Sequence, residues 1–158
     1  MPSLTDRDDQ DRLLLLIPTT SYRVADFLEA AHRLGVDVAV GSNQPQVLEG
    51  FSDGRTTTIN FQDLEEGVLE ICAYAKNYPL RAVLGVDEGT TVLASKASKA
   101  LGLTHNPPKS VEATANKLRF RTAIANSALL KPQFTLLSID ANLAKSAREV
   151  TYPCVLKP

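Results

Sequence analysis

The sequence is poor in the residues from which several kinds of site are built. It has two histidines, two cysteines and no tryptophan in 158 residues. His32 and His105 belong to no cluster, and Cys72 and Cys154 show no ligand spacing. A zinc centre or a Ser-His-Asp triad therefore lacks its partners. The cysteines read as two buried, reduced thiols, which suits a cytoplasmic protein. Without tryptophan, four Tyr and five Phe make a poor base-stacking platform. The 17 basic and 18 acidic side chains leave a net charge of −1, with no cationic stripe to neutralise a nucleic-acid backbone. The longest apolar run, Leu13 to Ile17, is far too short to span a bilayer. The first eleven residues, with Asp6, Asp8, Asp9 and Asp11, are the opposite of a secretory leader and read as a flexible lead-in. What is present is a globular composition, 44% apolar and 22% charged.

Apolar runs alternate with helical stripes. Arg12 to Pro18 is a continuous apolar strand of the kind covered on both faces. The hydroxyls of Thr19-Thr20-Ser21 suit a helix N-cap. Val24, Phe27, Leu28, Ala31 and Leu34 then form one helix face that Gly35 ends. Val36 to Val40 is a second strand, and β-branched Arg55 to Phe61 a third. Gln62 to Tyr78 is an amphipathic helix with Leu64, Val68, Ile71, Cys72 and Ala75 inward, stopped by Pro79. Arg81 to Val86 is a fourth buried strand, and Glu88 to Leu101 a helix of small residues ended by Gly102. This order predicts an α/β fold, a Rossmann-like doubly wound parallel sheet.

Composition shifts at Thr104 to Lys109, where two prolines make a stiff connection. Beyond it the pattern predicts a helix from Ser110 to about Ala128 and a strand over Pro132 to Leu137. A helix with Ile139, Leu143, Ala147 and Val150 inward and a last strand, Tyr152 to Lys157, complete the chain. The division expected is a lead-in over 1–11, a Rossmann-like domain over 12–105 and the beginning of a second domain over 106–158. A terminal apolar strand with no partner, in a segment of roughly 50 residues too small for its own core, reads as part of a longer polypeptide.

A doubly wound sheet binds ligands at the carboxyl ends of its strands. The first such turn offers Thr19, Thr20, Ser21 and Arg23, either as contacts to a small anion or substrate or as an ordinary helix start. It has no G-x-G-x-x-G glycines, and no Walker motif occurs in the chain. The second offers Asp87 and Glu88, either for a cationic group such as a substrate amine or as complements to a helix N-terminus. Lys117 sits among polar Asn116, Arg119 and Arg121, and Lys157 ends an apolar strand where patterning does not ask for a charge.

From Asp87 onward the chain resembles ATP-grasp enzymes, particularly carboxylate–amine ligases. Asn116-Lys117 with Arg121 and Ile124 is similar to the family segment D/N-K-x-x-x-R-x-x-L/I. Pro132-Gln133-Phe134 follows, then Tyr152-Pro153-Cys154-Val155-Leu156-Lys157-Pro158, with the two lysines 40 positions apart. The resemblance implies a pre-ATP-grasp domain leading into an ATP-grasp domain, with Lys117 and Lys157 on the phosphates of ATP. It implies that magnesium is held by residues downstream of the second lysine. It also implies that the parent activates a carboxylate as an acyl phosphate and couples it to an amine, both small molecules, and that this stretch alone is inactive. The Asp87-Glu88-Gly89 loop is unlike the Gly-Tyr-Gly segment of biotin carboxylases and closer to amino-acid ligases, where it faces the substrate pocket. The rival readings are a non-catalytic module that binds a metabolite or partner, and a biotin-carboxylase-like subunit.

Overall fold

The computed structural model describes residues 12–45, 52, 54–138, 140 and 142–156. Residues 1–11, Ile139 and Lys157-Pro158 lie outside them. The chain divides into two compact units, one through Ala115 and one from Asn116 onward.

The first unit is built on four parallel strands: β1 (Leu13–Leu16), β2 (Val38–Ser42), β3 (Thr56–Thr58) and β4 (Ala82–Gly85). Their order in the sheet is β3-β2-β1-β4. Leu13 pairs with Val38 on one side of β1 and with Ala82 on the other. Five consecutive apolar residues are needed here because β1 is central and covered on both faces. Leu14 and Leu16 enter one core cluster and Leu15 and Ile17 the other, all at most 1% exposed. Each contributes about 1.5–3 kcal/mol of burial.

Helix α1 (Val24–Leu34) lays Val24 and Phe27 on the Leu15–Ile17 face. Helices α2 (Leu64–Asn77) and α3 (Glu88–Ala100) cover the Leu14–Leu16 face through Ile71, Tyr74, Leu93 and Ala97. Helices on both faces make the sheet doubly wound, as the alternation of the sequence predicts. Gly35 ends α1 in the left-handed conformation, at φ 66°, and the Val36 N–H returns to the Ala31 carbonyl at 3.0 Å.

Several local expectations need correction. The hydroxyls of Thr19, Thr20 and Ser21 do not cap α1; its N-cap is Arg23, which makes no side-chain cap bond. Leu28 and Leu34 are exposed, because they flank the stripe centred on Val24, Phe27 and Ala31. Tyr74 rather than Ala75 completes the buried face of α2, and Cys72 is only half-buried. β2 begins two residues later than expected and runs through Gly41, whose missing side chain leaves room for Leu16 and Ile59. β4 is an edge strand among the described residues, so Leu84 is 47% exposed rather than buried.

The helix expected over 110–128 is broken in two. Helix α4 (Pro108–Thr114) starts at the proline rather than at Ser110, with Pro107 as its N-cap. Helix α5 (Lys117–Ala123) opens the second unit. The break falls at Asn116, whose extended backbone and side-chain bond to the Arg119 N–H, at 2.9 Å, make it a helix start. Helix α6 (Leu143–Glu149) is shorter than its pattern, starting at Asn142, which caps the Lys145 N–H, and its Ala147 is exposed. Pro132 to Leu137 forms no strand, and neither do the described residues of Tyr152 to Lys157. A strand needs a ladder partner, and none pairs with them among the described residues. Cys154 is accordingly exposed, not buried.

Candidate functional site

The sheet order fixes where a ligand meets the first unit. β2 and β4 flank β1 on opposite sides, and the helices that follow β1 and β4 pass to opposite faces. The loops after β1 and β4 therefore diverge and leave a crevice between them. Thr19, Thr20, Ser21 and Arg23 stand on one side of this switch point and Asp87 and Glu88 on the other.

The β1 turn is held from β2. Asn43 Oδ1 accepts from the Thr19 N–H at 3.0 Å and lies 3.3 Å from the Thr19 hydroxyl. Ser21 Oγ accepts from the Arg23 N–H at 3.4 Å, while Thr20 is exposed on the same turn. The Arg23 guanidinium lies over the Tyr22 ring, 5.7 Å from its centroid. Its pKa is raised, chiefly by hydrogen bonding and attraction to Tyr22, against a small desolvation cost, and further by attraction to Asp87 and Asp26. The two loops beside the switch point thus carry residues of opposite charge.

The β4 loop is set by contacts that sequence pattern does not reveal. Thr90 is 1% exposed, and its hydroxyl lies 2.8 Å from the Asp87 carbonyl and 3.2 Å from the Leu16 carbonyl. It ties the start of α3 to the end of β1 across the crevice floor. Gly85 makes this approach possible, because a Cβ there would sit 2.6 Å from the Thr90 backbone. The Asp87 side chain makes no cap bond to α3 although the residue is the N-cap. Asn43 and Thr90 are the residues that sequence reasoning missed. For Asn43, the polar run after a strand was a signal; for Thr90 there was none.

Beside the edge of β4 a separate cavity of about 870 Å³ opens between α3, Thr104 to Pro107 and α4. Glu88 lines it and the adjacent Asp87 does not, so the two carboxylates are placed differently.

Lys117 belongs to the second unit, where it is exposed at the first position of α5, and Lys157 lies outside the described residues. A smaller cavity of about 460 Å³ in this unit is lined by Arg121, Lys131 and Phe134. Among the described residues no three His, Cys, Asp or Glu side chains gather in a metal-holding group, and no helix is long and apolar enough to cross a membrane.

The comparisons agree with this architecture. Residues 28–105, about half of the chain, match the ATP-grasp N-terminal domain. The carbamoyl phosphate synthase large chain of Hyperthermus butylicus is 24% identical over 138 residues, which are 87% of this chain and 13% of that protein. The crystal structure of an L-amino acid ligase from Bacillus licheniformis superposes with a TM-score of 0.63 at 21% identity, over 78% of this chain and 32% of that one. At that identity the likeness is one of fold. The chain thus spans about an eighth of the curated relative and a third of the solved ligase. Together the family match over residues 28–105 and the two likenesses support the N-terminal region of the ATP-grasp superfamily.

Proposed function

We propose that this chain is the N-terminal region of an ATP-dependent ligase that activates a small carboxylate as its acyl phosphate and couples it to an amine. The observation that carries the reading is the match of residues 28–105 to the ATP-grasp N-terminal domain, on a sheet whose switch point lies between the Arg23 and Asp87 loops. A carboxylate and an amine are the two groups that loops of opposite charge select. Thr19, Thr20 and Ser21 supply neutral hydrogen bonds beside Arg23, Asp87 supplies the anionic side, and Glu88 serves the cavity beside β4.

Lys117 and Lys157 are proposed as the contacts to the phosphates of ATP. Exposure of Lys117 at a helix start fits that role, since a lysine ammonium serves as an accessible point charge. Magnesium, when bound, would neutralise the phosphates during transfer. From the family resemblance, its ligands are proposed to lie downstream of Lys157. We divide the chain accordingly into a pre-ATP-grasp domain over 12–105 and the beginning of an ATP-grasp domain over 106–158. The free thiols of Cys72 and Cys154 support a reducing, cytoplasmic setting.

On this reading the 158-residue chain does not turn over alone. The test is phosphate release from ATP, measured for the chain and for the whole protein that carries it, across a panel of amino acids, simple carboxylates and bicarbonate. The expected result is carboxylate- and amine-dependent release by the whole protein only. A requirement for bicarbonate would favour a biotin-carboxylase-like subunit, and no release under any condition a non-catalytic module. In the whole protein, Lys117→Ala and Lys157→Ala should each raise the KM for ATP by roughly tenfold or more, the weight of a charge-assisted phosphate contact. An unchanged KM would remove that lysine from the site.

A further inference from the structure

We infer that the cavity beside β4 is a binding site for a small organic ammonium ion, with Glu88 as its charge contact. This deepens the reading of the Asp87-Glu88 loop by separating its two carboxylates. Asp87 is the N-cap of α3 and does not line the cavity, whereas Glu88 lines the space beyond the sheet edge.

Size, lining and charge support the assignment. At about 870 Å³ the cavity lies within the usual range for small-molecule sites. Its floor is apolar, formed by Val83, Leu84, Ala94 and Val111. Thr91, Ser95 and Ser98 present hydroxyl-bearing residues at helical spacing along one face of α3. The Ser95 hydroxyl donates to the Asn106 carbonyl at 2.6 Å, and His105 Nδ1 lies 2.8 Å from the Leu103 carbonyl, so the wall opposite α3 is fixed by bonds. Among the described residues that line it, Glu88 alone bears a formal charge. The nearby cation Lys96 is engaged with Glu112 at 3.4 Å and does not line the cavity. An anionic ligand would find no counter-charge there. A short alkyl chain with an ammonium end meets both the floor and the carboxylate.

The test uses the 158-residue chain and needs no ATP, so its outcome is independent of ligase activity. Backbone amide shifts are followed by NMR as n-butylammonium, n-butanol or butyrate is added. Butylammonium is expected to move Gly85, Thr91, Ser95 and Val111 and to bind roughly threefold or more tightly than butyrate, as one partly exposed charge allows. Glu88→Gln, at an exposed position, should abolish that preference while leaving the fold intact. Thr114→Trp, also exposed, should fill the cavity and remove the shifts. Shifts elsewhere, equal binding of butylammonium and butyrate, or a preference that survives Glu88→Gln would overturn the inference.

Discussion

The Thr90 hydroxyl lies 3.2 Å from the Leu16 carbonyl, joining two residues 74 positions apart. Through this contact the helix that follows β4 is fixed against the end of β1, and the two loops of the crevice take their separation. Thr90→Val keeps the shape and removes the hydroxyl. It should lower stability by about 0.5–1.5 kcal/mol, the range for a lost hydrogen bond whose acceptors keep other partners. Urea unfolding midpoints measure this. A midpoint equal to that of the wild type would mean the hydroxyl contributes nothing to loop placement.

Gly85 and Gly89 make a matched pair within one loop. A methyl at Gly85 would come within 2.6 Å of the Thr90 backbone, whereas one at Gly89 meets nothing within 4 Å. Gly85→Ala should therefore destabilise by about 1–3 kcal/mol, because backbone must move. Gly89→Ala, in α3, should stabilise by about 0.5 kcal/mol through helix propensity. The same unfolding experiment reads both, and opposite signs are the expected outcome.

At the other end of the sheet Arg12, 9% exposed, donates to Asp37 at 2.8 Å and stacks over Tyr78 at 5.1 Å. Its Nη1 also reaches the Tyr74 hydroxyl at 3.5 Å, and that hydroxyl donates to the Gly54 carbonyl. Burial raises the Tyr74 pKa above its ordinary 10.0, with the bond to Arg12 opposing. A raised folded pKa means the folded chain holds the proton more tightly than the unfolded one. Tyr74's contribution is therefore whole below pH 10 and is lost as pH climbs through the folded value. The gap in unfolding free energy between wild type and Tyr74→Phe should be constant from about pH 7 to 9 and shrink above about pH 10. A gap that widens there would contradict the burial of this phenol.

Much of the first unit was legible because its signals are local or periodic. The apolar run of β1, the spacing of Val24, Phe27 and Ala31, and Gly35 each dictate structure within a few residues. Thr90 was illegible because its partner is set by tertiary approach at Gly85. Asn116 was misread for a different reason: inside a helical pattern its capping bond competes with helix continuation, and the bond prevails. Pro132 to Leu137 carries strand propensity, but a strand is completed only by a neighbour.

The central claim, activation of a carboxylate by phosphoryl transfer, is tested most directly by isotope transfer in the whole protein that carries this region. Carboxylates labelled with ¹⁸O are incubated with ATP and amine, and the inorganic phosphate released is analysed by mass spectrometry. If an acyl phosphate forms, one carboxylate oxygen leaves with the phosphate, and ¹⁸O-phosphate should appear in proportion to product. Product formed with unlabelled phosphate would contradict the account.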